Sequence, residues 1–164
     1  MIRKAEKRDV PELMEIYNDA ILHTTATFDT EIKDMENRLA WYEEHTGNYI
    51  IYVYEEEGIV AGYASLSRYR DRRAFDPAVE ISIYIHKDYR GRGIGRALMQ
   101  KVLAFAKECQ EIGTVISLIT SENAASIHLH EEFGFSYCGR LLDVGVKFGK
   151  KLSLNAYQII YQRE

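Results

Sequence analysis

A chain of 164 residues, 46% hydrophobic and 12% aromatic, has the size of one domain and enough apolar surface for a core, which excludes intrinsic disorder. Its 21 Lys and Arg against 25 Asp and Glu leave a formal net charge of −4, and that mild acidity argues against a nucleic-acid partner, which needs a clustered basic surface. No apolar run approaches the roughly 20 residues that cross a bilayer, the start MIRKAEKRDV lacks a signal's apolar stretch, and Cys109 and Cys138 are too few for a disulfide framework. A cytoplasmic single domain over residues 1–164, with no membrane or nucleic-acid partner, is therefore expected.

In chain order, residues 2–4 form a short strand. Asp9-Val-Pro-Glu12 signals a helix start, with an Asp cap, a Pro in the first turn and a Glu three residues after the cap. Leu13, Ile16, Tyr17, Ala20 and Ile21 then recur at helical spacing and make one apolar face. Residues 23–31 carry no period and read as a loop, and a second helix over 33–45 ends before Gly47. Two β-rich runs, 49–54 and 59–68, flank the acidic turn 55–58 and predict a hairpin. Residues 70–77 form a polar, basic loop. In the strand that follows, Val79, Ile81, Ile83 and Ile85 alternate with Glu80, Ser82 and Tyr84, so the two sets face opposite ways.

A glycine cluster then opens a helix marked by Ile94, Leu98, Val102, Phe105 and Cys109. A compact strand over 114–119, a short helix over 123–133 and two strands, 135–142 and 152–161, around a Gly/Lys-rich turn complete the chain. The order β-α-α-β-β-β-α-β-α-β-β predicts a mixed α/β domain built on one sheet.

The glycine cluster is Arg90-Gly-Arg-Gly-Ile-Gly95, set between an alternating strand and an amphipathic helix. Glycines there let the backbone approach a ligand, and the first N–H groups of a helix together with its dipole make an anion site suited to phosphate. Arg90, Arg92 and Arg96 add positive charge. The Lys and Ser/Thr of a P-loop are missing, and Arg96 stands where a dinucleotide fingerprint needs its third glycine, although Glu122 past the next strand lies where a ribose-binding acid can sit. An ordinary glycine-rich strand-to-helix turn is the plain alternative.

The surroundings add specificity. Arg90-x-x-Gly93-x-Gly95, Asn123-x-x-Ser126 and Glu131-x-x-Gly134-Phe135, each following a strand, resemble the GNAT superfamily of acetyl-CoA-dependent N-acetyltransferases over nearly the whole chain. Within it, Ile16-Tyr-Asn-Asp-Ala20, Thr24-Thr-Ala-Thr-Phe28, Val79-Glu-x-Ser-Ile-Tyr-Ile85, Asn123-Ala-Ala-Ser-Ile-His-Leu-His130 and Gly145-x-Lys-Phe-Gly149 are similar to the phosphinothricin and methionine sulfoximine N-acetyltransferases. The last hairpin departs from that group, with Lys151 and Ser153 where Trp and Asp are usual.

The resemblance implies one mostly antiparallel sheet with a splayed central parallel pair and helices on both faces. It implies acetyl-CoA as co-substrate, no metal, a small amino-acid-like acceptor and a homodimer. By the same resemblance, the backbone of Ile83, Tyr84 and Ile85 binds the pantetheine arm, Gly91, Arg92, Gly93, Ile94, Gly95 and Arg96 hold the pyrophosphate beside Arg90, and Asn123 with Ser126 lies near the thiol. Glu80 and His130 carry catalysis, His130 standing where other members place a Tyr. Substrate contacts fall at Arg70, Asp71 and Arg72, at Glu80, Ile81 and Ser82, and at a wall near Phe28.

These residue types suit the chemistry. An acceptor amine arrives mostly as ammonium, and a carboxylate such as Glu80 can take its proton. A histidine, with an ordinary pKa of about 6.5, can relay a proton or protonate a leaving thiolate. Arginines in the run 68–73 can hold a carboxylate or phosphinate in a bidentate fork. His23, His45 and His86 show no ligand spacing, and His128 and His130 point to different sides of a helix, so no metal is expected. The expected reaction is direct transfer to an amino acid's α-amine, with neither cysteine as carrier. A peptide or lysine acetyltransferase, or an inactive acetyl-CoA-binding module, are the alternatives.

Overall fold

The computed structural model describes residues 1–163. A seven-stranded sheet carries β1 (Ile2–Lys4), β2 (Ile50–Glu56), β3 (Ile59–Arg68), β4 (Ala78–Ile85), β5 (Thr114–Thr120), β6 (Ser136–Lys147) and β7 (Lys150–Ile160), in the spatial order β1-β2-β3-β4-β5-β7-β6. Every neighbouring pair is antiparallel except β4–β5. The helices are α1 (Val10–His23), α2 (Met35–Glu43), α3 (Ile94–Glu108) and α4 (Ala124–Glu132).

Each face of the sheet has its own core, as the alternation in β4 requires. On one face, Leu66, Val79, Ile81 and Val115 are sealed by Leu98, Met99 and Val102 of α3. On the other, Leu13 and Ile16 of α1 pack on Ile51, Val53 and Tyr63, with Trp41 of α2 against them. Apolar burial on both sides, at roughly 25 cal/mol per Å², holds the helices to the sheet.

Local signals explain most boundaries. The β2–β3 turn places Glu57 at φ 51° and Gly58 at φ 80°, the left-handed pair of a tight hairpin. Asp34 caps α2 by accepting from the Asn37 N–H at 2.8 Å. Asp9 does not cap α1 as expected. Its carboxylate accepts from the Glu6 N–H at 2.7 Å and from the Arg3 guanidinium at 2.8 Å, an ion pair that outcompetes the cap.

The last hairpin is longer and tighter than the sequence predicts. Its turn is only Phe148-Gly149, at φ 53° and 69°, so residues 143–147 and 150–151 join the strands. The register jumps between Leu141↔Leu154 and Gly145↔Leu152, leaving a bulge at Asp143, φ 51°, whose N–H donates to Ser153 Oγ at 3.0 Å. Ser153 thus fixes the bulge, and Lys151 pairs across from Val146.

Candidate active site

The parallel pair sets the geometry. β4 and β5 are paired only from Ala78↔Thr114 to Glu80↔Ile116. Beyond that, β4 stays with β3 as far as Gly62↔Ile85, and β5 stays with β7 as far as Thr120↔Leu154. The two strands therefore diverge, and among the described residues β4 from Ile81 onward has no strand partner on its β5 side. The gap is open to both faces.

A cavity of about 480 Å³ lies on the α1/α2 face. Glu80, Ser82 and Tyr84 enter it from β4, Ser65 and Ser67 from β3, Leu118 and Thr120 from β5, and Phe28 from the loop after α1. Burial pushes the Glu80 carboxyl above its ordinary range, and the charge of nearby Arg70 acts against that shift. Burial and Asp29 push the Tyr17 phenol up to about 12, and burial raises Tyr84 as well, so both rings stay protonated donors near neutrality.

On the other face, a narrower cleft of about 230 Å³ runs through the gap between Ser82 and Tyr84 on one side and Ser117, Asn123 and His130 on the other. It widens into a mouth of about 820 Å³ bordered by Ile83, Ile85, Arg90, Asn123 and Lys150. Ala26, Ser82, Tyr84 and Leu118 belong to both the cavity and the cleft, so the two spaces meet at the splay.

The glycine loop stands at the start of α3. Gly91 and Gly93 sit at φ 75° and 80°, a left-handed backbone that side chains resist, and Gly93 precedes the first helical residue. The N–H groups of Ile94, Gly95 and Arg96 open the helix without carbonyl partners inside it, which suits phosphate oxygens. The loop arginines carry less free charge than their number suggests. Arg90 faces Asp19 at 3.5 Å, Arg92 faces Glu56 at 3.6 Å, and Arg96 pairs with Glu132. Glu122 accepts from Thr25 Oγ1 at 2.7 Å and pairs with Lys150, so it anchors the loop after α1.

Asn123 caps α4 by accepting from the Ser126 N–H at 3.2 Å, which leaves its amide N–H groups free at the cleft. His130 is held one turn on. Its Nδ1 lies 2.7 Å from the Ser126 carbonyl, which only accepts, so Nδ1 carries the proton and Nε2 accepts from Ser117 Oγ at 2.9 Å. The ring meets Phe135 edge-on at 4.8 Å, and burial holds its pKa below the ordinary value. His130 at rest is a neutral acceptor, not an acid. It also lies on the α3/α4 face, across the sheet from Glu80.

The remaining expected contacts divide. Phe28 and Ser82 line the cavity, whereas the Ile81 side chain is buried in the α3 core. Arg70 donates to the Tyr69 carbonyl at 2.9 Å and stacks on that ring at 4.2 Å, outside the cavity wall. Asp71 borders a separate cleft with Arg68 and His45, and Arg72 is exposed.

Sequence reasoning missed Arg38 of α2, which is 8% exposed, lies 4.8 Å from the Tyr17 ring and 4.7 Å from the Trp41 ring, and lines the cavity. It also missed Lys147, 4% exposed, whose Nζ donates to the Thr27 carbonyl at 2.8 Å and pins the Phe28 loop to β6. A helical-face count places Arg38 one turn from Trp41, but nothing in the local sequence says that face is covered.

This frame suits a CoA thioester: an unpaired strand edge, a phosphate cradle at a helix start and a gap leading to a second cavity. The family model for "Acetyltransferase (GNAT) family" matches residues 11–135. The chain is 42% identical to an L-methionine sulfoximine/L-methionine sulfone acetyltransferase of Salmonella typhimurium and 40% identical to the L-amino acid N-acyltransferase MnaT of Escherichia coli, each match covering 96% of this chain and 92% of the relative. A Salmonella typhimurium acetyltransferase structure solved with its cofactor acetyl-CoA superposes with a TM-score of 0.95 at 40% identity, over 100% of this chain and 95% of that one. Splay, cradle and sequence likeness agree, and the chain belongs to the GNAT acetyltransferase family.

Proposed function

We propose that this enzyme moves an acetyl group from acetyl-CoA to the α-amine of a small amino acid or analogue of the methionine sulfoximine, methionine sulfone or phosphinothricin type, by direct transfer in a ternary complex. The observation that carries this reading is the meeting of the two spaces at Ser82, Tyr84 and Leu118. A cofactor entering from the α3 face and an amine held on the α1/α2 face reach one another only through that gap. The names of the similar enzymes support the acceptor class.

Acetyl-CoA supplies the activated acetyl group as a thioester. The unpaired edge of β4 at Ile83–Ile85 holds its arm, and the N–H groups of the loop and the first turn of α3 bind its phosphates, with Asn123 near the sulfur end. Glu80 takes the ammonium proton, a role its raised pKa suits because a base works best near ambient pH. Free N–H groups of splayed β4 polarise the carbonyl. A second proton leaves the nitrogen as the amide forms. His130 Nε2 takes it through Ser117 Oγ and returns it to the departing sulfur, while Glu80 releases the ammonium proton to solvent through the open cavity, so one proton leaves per turnover and all three residues are restored.

Neither cysteine fits an acyl carrier. Cys109 follows the end of α3, where burial raises its thiol pKa, and Cys138 is exposed on β6. We further infer a cytoplasmic homodimer. Supporting the dimer, β6 exposes Tyr137, Leu141, Leu142, Val144 and Val146, an apolar edge that is a liability when bare.

The test is thiol release from acetyl-CoA across a panel of amines that includes methionine sulfoximine, methionine sulfone and phosphinothricin. Turnover with at least one of them, and weaker turnover with peptides bearing free N-termini, is expected. Peptide turnover alone would replace the acceptor class.

A further inference from the structure

Arg38 has no counterpart in the reaction described above. It is more than nine-tenths buried, yet no carboxylate lies within ion-pair distance of it among the described residues. Its Nε and Nη2 both donate to the single acceptor Asn37 Oδ1 at 3.1 Å, and its Cζ lies over the Tyr17 and Trp41 rings. Nη1 makes no hydrogen bond within the described protein, and Arg38 lines the cavity. A guanidinium has five N–H donors. Burying most of them without an anion is costly, and cation–π contact offsets only part of that cost.

The position of Arg38 in the cavity narrows what it binds. It belongs to an aromatic end, where Trp41 meets Tyr63 at 5.7 Å, Tyr17 meets Tyr84 at 5.2 Å and Tyr63 meets Tyr84 at 5.7 Å. Along the sheet, Glu80 lies opposite Ser67, while Tyr84 lies opposite Tyr63. Glu80 and Tyr84 stand four steps apart on β4, about 13 Å of backbone at about 3.3 Å per residue. The α-carboxylate of an amino acid is bonded to the carbon that bears the amine, so with the amine near Glu80 it stays near that end. Arg70 is the cation whose charge acts on Glu80. A group several bonds further along the side chain reaches the aromatic end.

We propose that Arg38 selects the acceptor by binding an oxo group on its side chain, such as a sulfone, sulfoximine or phosphinate oxygen, while Tyr17, Trp41 and Tyr63 enclose the methylenes between. This rests on the amino-acid reading above and names the group that the site discriminates.

Three amines separate the contributions: methionine sulfone, methionine, which lacks the sulfone oxygens, and methionine sulfone with its carboxylate converted to the primary amide. Thiol release from acetyl-CoA is measured for the unaltered enzyme, Arg38→Met and Arg38→Lys. The unaltered enzyme should favour the sulfone over methionine in kcat/KM. In Arg38→Met that ratio should fall about 10–100-fold, chiefly through KM, the loss expected of one charged hydrogen-bond donor. Arg38→Lys should recover part of it, and the preference for the carboxylate over its amide should persist. A similar loss on all three amines would make Arg38 a structural residue and overturn the proposal. Collapse of the carboxylate preference instead would assign it to the α-carboxylate, with the same result. Failure of the unaltered enzyme to use any of the three would strike the acceptor class itself, which the ratios do not test.

Discussion

Gly145 and Phe28 meet where the last hairpin touches the cavity that Glu80 lines, and a single methyl group tests that contact. A Cβ at Gly145 would stand 2.8 Å from Phe28 Cε2 and 2.9 Å from Cδ2. Carbon atoms rest at about 3.5–4.0 Å, so the ring must retreat by about 0.6–1.2 Å. Overpacking of this kind costs about 1–3 kcal/mol. For a chain of this size each kcal/mol shifts the melting point by about 2–4 °C, so Gly145→Ala should melt about 2–12 °C lower. Phe28 lines the Glu80 cavity and not the cleft on the other face, so KM for the amine should rise several-fold while KM for acetyl-CoA holds. Thermal melting of Gly145→Ala, Phe28→Leu and the double variant completes the cycle. Relief of the clash should appear as a coupling of about 0.5–3 kcal/mol. Additive losses would mean that the new methyl group meets something other than the Phe28 ring.

Other outcomes follow from the same geometry. Glu80→Gln should lower kcat by about 10²–10⁴-fold in steady-state assays and leave KM for acetyl-CoA nearly unchanged; an unaltered kcat would remove Glu80 from proton transfer. Gly93→Ala places a side chain at φ 80°, costing about 1–2 kcal/mol, and should raise KM for acetyl-CoA above that for the amine. Acid should destabilise the protein through His130. Its folded pKa is lowered by burial, so the unfolded chain binds the proton first, and stability is full above about pH 6.5 and drains as pH falls below it. The drain is at most about 1.4 kcal/mol per pH unit for each such group. Half-buried His45, whose pKa burial also lowers, adds to it, so melting points between pH 8 and 5 should fall less steeply in His130→Gln, and an unchanged slope would assign the effect to His45. Leu142→Asp with Val146→Asp should give a monomer by sedimentation if β6 forms the dimer contact.

Patterns of local origin were legible. The alternation of Val79, Ile81, Ile83 and Ile85 with Glu80, Ser82 and Tyr84 already separates the two faces of the sheet, and the structure puts a core behind the first set and a cavity before the second. The left-handed glycines before α3 were equally visible, because their conformation is a local need. Elements set by distant partners were not. The Asp9 cap was lost to Arg3, and the Asp143 bulge depends on Ser153 from the neighbouring strand. The resting state of His130 follows from the Ser126 carbonyl and the Ser117 hydroxyl, partners that spacing along the chain does not reveal.

Charge shows the difference most directly, because its effect depends on what faces it. The run 90–96 reads as a strong positive cluster, yet Asp19, Glu56 and Glu132 each answer one of its arginines. In the proposed function, phosphate binding there rests mainly on backbone N–H groups and the helix start, with the arginines free to exchange a carboxylate for a phosphate. Such half-exposed pairs hold little energy, so the exchange is cheap. Arg38 is the opposite case. Alone in its stretch of sequence and without a carboxylate partner among the described residues, it keeps its charge in a buried site where interactions are stronger than at the surface. In the proposed reaction the arginine run attracts a cofactor that its backbone holds, whereas the solitary arginine chooses between acceptors that differ by two oxygen atoms.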